Sequence, residues 1–170
     1  MPNVEIVAIE SVLLLGQIVD TNPAWMAQRF TDLGVDLFYK TVVGDNPGRM
    51  REVIGRALER SDIVITSGGL GPTQDDLTRE IVAEVTGRKL VFDPMLMEQI
   101  EELFRKRGRS MTPNNRRQAF IPEGAIRVRN PNGTAPSFIV EDPRGIVFCL
   151  PGVPVELKWL FANEVEPYLR

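Results

Sequence analysis

The chain has 170 residues, a formal net charge of -3, one cysteine and no histidine. Serine-histidine and cysteine-histidine nucleophile pairs are therefore excluded, as are histidine-built zinc sites and any disulfide within the chain. Hydrolytic chemistry has to run on carboxylates, hydroxyls, backbone amides and a metal held by oxygen, which points to Mg2+ or Mn2+.

In chain order, Val4 to Ile9 is an apolar run of strand length. Pro23 to Leu33 carries Met26, Phe30 and Leu33 at helical spacing and is stopped by Gly34. A strand from Leu37 to Val43 leads through Gly44-Asp45-Asn46 into the clearest amphipathic helix, with Met50, Val53, Ile54, Ala57 and Leu58 on one face. A third strand, Asp62 to Thr66, runs into a glycine-rich turn, and Leu77, Ile81, Val82 and Val85 predict a helix that Gly87 ends. Pro94 to Arg107 is a further helix, and Gly108 to Asn115 has the composition of a connection. Phe138 to Glu141 and Ile146 to Leu150, joined by Asp142-Pro143-Arg144-Gly145, form an antiparallel hairpin, and Val155 to Tyr168 is a closing helix.

Strands alternating with helices predict one α/β domain over residues 1–170. Its mostly parallel sheet is covered on both faces, a three-layer αβα arrangement with a late hairpin. The hydrophobic content of 43% is ordinary for such a domain. The stretch from Val4 to Leu15 is interrupted by Glu5 and Glu10 and follows no basic segment, so it reads as strand and loop rather than a leader. No run reaches membrane length, and the expected compartment is the cytoplasm, with Cys149 a small buried hydrophobe. The acidic balance argues against a nucleic-acid partner, the cluster Arg105, Lys106, Arg107 and Arg109 being the local exception.

In a parallel sheet the loops leaving the carboxyl ends of the strands share one edge, where ligands bind. Those loops are Glu10 to Asn22, Gly44 to Pro47, Ser67 to Gln74 and Pro151 to Pro154. The strongest is Ser67-Gly68-Gly69-Leu70-Gly71-Pro72-Thr73-Gln74-Asp75-Asp76, whose glycines let backbone amides approach an anion. It is neither a Walker loop nor a dinucleotide fingerprint. Asp75 and Asp76 at its mouth repel a bare phosphate, so either a divalent cation bridges them or they bind hydroxyls and ring nitrogens. Thr73 and Asp76 equally have the spacing of a helix capping box. Asp45 is a third carboxylate for the same edge or a turn residue. Asp20-Thr21-Asn22 is first a cap sequence, with Asn22 as N-cap. Asn132-Gly133-Thr134-Ala135-Pro136 is a second amide loop or an Asn-Gly turn, and Pro151-Gly152-Val153-Pro154 is a rigid strand-to-helix turn. Arg116 and Arg117 suit phosphates but read better as a solvated pair, and Glu156 and Lys158 read as surface residues.

The segments Leu13 to Asn22, Val43-Gly44-Asp45-Asn46, Ser67 to Thr78, Asn115-Arg116-Arg117-Gln118-Ala119, Gly133-Thr134-Ala135-Pro136 and Leu150-Pro151-Gly152-Val153-Pro154 resemble the amino-terminal domain of competence/damage-inducible CinA proteins. That domain is part of the molybdopterin-binding MoaB/MogA-like superfamily, and the likeness spans the chain in order. The resemblance implies an oligomeric three-layer domain with metal-dependent ADP-ribose pyrophosphatase activity, or the molybdopterin binding and adenylation of its relatives. It places catalytic acids at Asp45 and Asp76, and with Asp75 at the mouth of the glycine loop the expected metal ligands are Asp45, Asp75 and Asp76. The loops at the sheet edge give the expected ligand contacts Asp20, Asn22, Ser67, Gly68, Gly69, Gly71, Pro72, Thr73, Asp75, Gly133, Thr134, Pro151 and Gly152. CinA proteins usually continue into a nicotinamide mononucleotide deamidase domain, which implies a separate deamidase partner for this chain. One departure stands out: family members have glycine, a small hydroxyl residue and glutamate where this chain has Glu10-Ser11-Val12. That change favours a binding domain with weakened catalysis as the alternative.

Overall fold

Short runs of β-branched and apolar residues form a sheet whose central strands are buried on both faces. The computed structural model describes residues 2–10 and 21–170. Its elements are β1 (Asn3–Ile9), α1 (Asn22–Leu33), β2 (Asp36–Val43), α2 (Pro47–Arg60), β3 (Ile63–Ser67), α3 (Thr78–Val85), β4 (Leu90–Phe92) and α4 (Pro94–Lys106). A 3-10 segment (Pro113–Ala119) follows, then β5 (Phe120–Pro122), β6 (Ile126–Val128), β7 (Ser137–Asp142), β8 (Gly145–Leu150) and α5 (Pro154–Leu160). A wider π turn (Phe161–Val165) links α5 to a last short helix, α6 (Glu166–Leu169).

The main sheet has the order β2-β1-β3-β8-β7-β6, and β4 pairs with β5 separately. β2, β1, β3 and β8 run parallel, while β7 and β6 are antiparallel additions. Side-chain alternation along the strands divides the core. Val7, Val64, Val147 and Cys149 face Met50, Ile54, Ile81, Val82, Leu96 and Ile100 of α2, α3 and α4. Ile6, Ile65, Phe148 and Leu150 face Met26 and Phe30 of α1 and Leu157, Leu160, Phe161 and Val165 of the C-terminal helices. This is the three-layer arrangement expected, with the late hairpin at Phe138–Leu150. The exposed edge strand β2 carries a register irregularity opposite Val4 and Glu5, with Asp36 and Lys40 outward, features that blunt an edge against foreign pairing.

Several expectations are corrected. β3 lies one residue later than predicted, at Ile63–Ser67. β4, β5 and β6, each three residues long, are additional. The predicted connection ends in the 3-10 segment, where the Asn115 side chain accepts from the backbone N–H and hydroxyl of Thr112. The closing helix is one run of three helical pieces. Asn22 is not the N-cap; Thr21 occupies that place, and Asn22 is buried inside the first turn. Cys149 is fully buried as predicted, and burial pushes its thiol up to about 12, which leaves it inert. Among the described residues no helix is long and apolar enough to cross a membrane.

Candidate functional site

The parallel strands bring Glu10, the glycine loop and the Pro151 turn to one edge, because Ser67 at the end of β3 lies opposite Leu150 at the end of β8. Between them opens a cleft of about 470 Å³. Its described wall comprises Glu10, Gly68 to Pro72, Asp76, Gln118, Thr134, Ala135, Pro151 to Pro154 and Glu156.

The glycine loop is built from two left-handed residues, Gly68 at φ +98 and Gly69 at φ +74. A Cβ on Gly68 would run into the Ile9 carbonyl, and one on Gly69 into the Thr78 hydroxyl. Thr78 and Arg79, the first residues of α3, then collect the loop's carbonyls. The Thr78 hydroxyl donates to Gly68 O at 2.9 Å and its backbone N–H to Gly69 O at 3.2 Å. The Arg79 guanidinium donates to Leu70 O and, at 3.3 Å, to Gly71 O. In a trans peptide the C=O and the following N–H point in opposite directions, and no peptide here is cis. Turning these carbonyls toward α3 therefore turns the amides of Gly69, Leu70 and Gly71 away from it. Among the described residues no acceptor meets those amides. Adjacent amides left unpaired on a cleft wall form an anion-binding concavity.

The predicted residues divide accordingly. Gly68, Gly69, Gly71, Pro72, Asp76, Thr134, Pro151 and Gly152 come together in the cleft. Thr73 is exposed and fixes Asp76: its backbone N–H and hydroxyl donate to Asp76 Oδ2 at 2.9 and 2.6 Å. This is a turn rather than the predicted helix cap, since α3 begins only at Thr78. Asn22 braces the opposite wall by donating to Gly152 O at 3.0 Å. Ser67 is buried beneath the loop. Gly133 lies under Glu156, with no room for a Cβ. Asp45, half-buried after β2, and Asp75, exposed, are not part of the wall formed by the described residues. Asp20 lies outside the described residues, as do Ser11 and Val12 of the family departure.

Two wall residues carry chemistry that the sequence left unassigned. Gln118 is buried and donates to the Thr134 hydroxyl at 3.0 Å, tying the 3-10 segment to the loop at 134. Glu156, in the first turn of α5, accepts from Asn130 Nδ2 at 2.7 Å. Arg116 and Arg117 turn elsewhere, Arg116 onto the Phe92 ring and Arg117 to Glu80 at 3.2 Å. Among the described residues the ionisable side chains of the wall are thus Glu10, Asp76 and Glu156, all acidic. Among the described residues no three acidic side chains converge as a metal-holding group. As placed, the carboxylates do not make a protein cage for Mg2+ or Mn2+.

Burial raises the Glu156 carboxyl above the ordinary carboxylate range, against the opposing pull of the Asn130 hydrogen bond and of Arg107. Because the folded-state value is the higher one, this group's contribution is full below the ordinary carboxylate pKa. It is lost as pH rises through the raised value. Glu156→Gln is expected to melt with wild type near about pH 4 and above it near about pH 8. Paired calorimetric melts across that range check this, and a gap independent of pH contradicts it.

Residues 5–170 match the family model described as "Probable molybdopterin binding domain". The chain is 50% identical over 166 residues to a competence-damage inducible protein of Symbiobacterium thermophilum, covering 97% of this chain and 39% of that one. It therefore spans about two-fifths of the length of the curated relatives it matches. The crystal structure of CinA from Thermoplasma acidophilum superposes with a TM-score of 0.87 at 33% identity, covering 98% of this chain and 97% of that one. The molybdopterin biosynthesis enzyme MoaB of Thermus thermophilus shares the fold, with a TM-score of 0.68 at 20% identity over 99% of this chain and 92% of that one. The chain belongs to the molybdopterin-binding domain family, as a CinA-type amino-terminal domain with the MoaB/MogA-like fold.

Proposed function

We propose that the cleft binds a small phosphate-bearing pterin or nucleotide, and that the chain acts mainly as a ligand-binding domain with weak hydrolytic power. The observation that carries this reading is the set of amides at Gly69, Leu70 and Gly71 that meet no acceptor among the described residues, held outward by Thr78 and Arg79. Such a set recognises an anion whether or not it reacts. The names of the relatives support the ligand class, and the departure at Glu10-Ser11-Val12 supports weakened catalysis. Assembly with further copies of itself and service to a separate deamidase domain are part of the same proposal.

Titration calorimetry with AMP and ADP-ribose tests it, and saturable binding is expected. Failure of the folded protein to bind either ligand overturns the reading. The second reading is metal-dependent cleavage of the ADP-ribose pyrophosphate bond, favoured by the presence of Glu10, Asp76 and Glu156 in one cleft. Mg2+ commonly enters such sites on substrate phosphates with only one or two protein carboxylates. AMP release with Mg2+ or Mn2+ is expected to rise only slightly above the protein-free rate. The double substitution Glu10→Gly with Val12→Glu is expected to raise that release at unchanged affinity. Turnover by the unaltered chain that Asp76→Asn removes would transfer the assignment to a pyrophosphatase.

A further inference from the structure

An acidic wall and an amide concavity conflict: the amides attract an anion that Glu10, Asp76 and Glu156 repel. The cleft's own lining holds no arginine or lysine among the described residues. One cation nevertheless stands directly behind it. Arg79 is 1% exposed, the largest fully buried side chain of the protein's described part, and its guanidinium donates to the carbonyls of Leu70 and Gly71, both wall residues. Its Nε is buried with no hydrogen-bond partner among the described residues. Of the other arginines, Arg116 lies over Phe92, Arg117 pairs with Glu80, and Arg107 acts on Glu156.

Resting on the reading of the cleft as a ligand site, we propose that Arg79 is its charge-selecting residue. It favours phosphate-bearing ligands over neutral ones by placing a permanent cation one peptide behind the amide loop. Two physical effects combine. The guanidinium fixes two consecutive carbonyls inward; holding Leu70 O aims the Gly71 amide the other way, while the residue after Gly71 is Pro72, which has no N–H to aim. Its positive charge acts through a buried, weakly screened medium at that short range, so it offsets the wall carboxylates where a solvated lysine would not. Asp76 and Glu80 face Arg79 electrostatically and temper its field, and Arg117 and Cys149 complete the charged and titratable surroundings. Burial draws its pKa down only to about 10, so it stays cationic through neutral pH.

Calorimetric titration of AMP against adenosine, with a chelator present to remove divalent ions, reads the phosphate preference directly. Wild type is expected to bind AMP at least about ten-fold more tightly. Arg79→Lys is expected to keep most of that preference. Arg79→Gln is expected to lose it, with adenosine affinity changed less than about three-fold. If wild type binds neither ligand, the cleft reading itself fails. If it binds both equally, prefers AMP only when Mg2+ is supplied, or keeps its preference in Arg79→Gln, the cleft reading stands and the role of Arg79 is overturned. Should Arg79→Gln not fold, Glu80→Gln in an Arg117→Gln background, which leaves no freed arginine beside the site, carries the test: removing the carboxylate beside Arg79 is expected to tighten AMP about two- to three-fold and leave adenosine unchanged. No tightening overturns the proposal.

Discussion

Gly68→Ala is expected to destabilise the domain by about 3 kcal/mol and to abolish nucleotide binding. Left-handed backbone costs an alanine roughly 1–2 kcal/mol. The collision adds a comparable amount, because the Cβ meets the Ile9 carbonyl, which is backbone and cannot rotate away. That carbonyl ends β1, between β2 and β3, so relief requires the loop to move rather than the sheet. Moving the loop pulls Gly68 O from Thr78 and swings the next amides with it, so binding falls further than stability alone predicts. For a chain of this size the melting temperature should drop by about 10 °C. Gly55→Ala is the control: it lies inside α2 with no atom within 4 Å of the added Cβ, and alanine there should gain about 0.5–1 kcal/mol. A Gly68→Ala protein that melts with wild type and binds AMP normally would refute the loop geometry.

The part of this site that was legible in the sequence is the part whose signals are local. A strand followed by clustered glycines marks a loop at a sheet edge, and Gly68, Gly69 and Gly71 lie where that rule places them. Thr73 and Asp76 show where a local rule misleads. Their spacing satisfies a capping box, and the Thr73 N–H to Asp76 bond does form, but a turn satisfies the same geometry. The helix starts at Thr78 because Thr78 and Arg79 are committed to the loop's carbonyls. Glu156 was unreadable for another reason: it is remote from the glycine loop in the chain and reaches it only through the parallel pairing of β3 with β8. Arg79 carried no signal at all, since an arginine early in a helix ordinarily faces water. Strands of three residues, such as Leu90–Phe92, are too short for alternation to register.

The second large effect is expected on the opposite face of the sheet, where Phe161→Ala should cost about 4 kcal/mol. Phe161 is fully buried, and its ring meets Trp25 and Phe30 edge-on at centroid distances of 5.3 and 5.2 Å. Both partners belong to α1, so this one side chain joins the N-terminal helix to the C-terminal run. Truncation loses the transfer energy of the ring, the edge-to-face contacts and the packing around the cavity it leaves. The consequence should reach the ligand site by a traceable route. Leu157 of α5 packs in the same cluster, α5 presents Glu156 to the cleft, and Asn22 of α1 holds Gly152. A domain that loosens α1 from α5 therefore loosens one wall of the cleft while leaving the glycine loop, anchored on α3, in place. Calorimetry should show a melting temperature about 10 °C lower, with AMP affinity at 25 °C reduced by less than about ten-fold. Phe38→Ala, at a ring 65% exposed on β2, should stay within about 0.5 kcal/mol of wild type. Equal losses from the two phenylalanines would mean that the aromatic cluster does not join the helices.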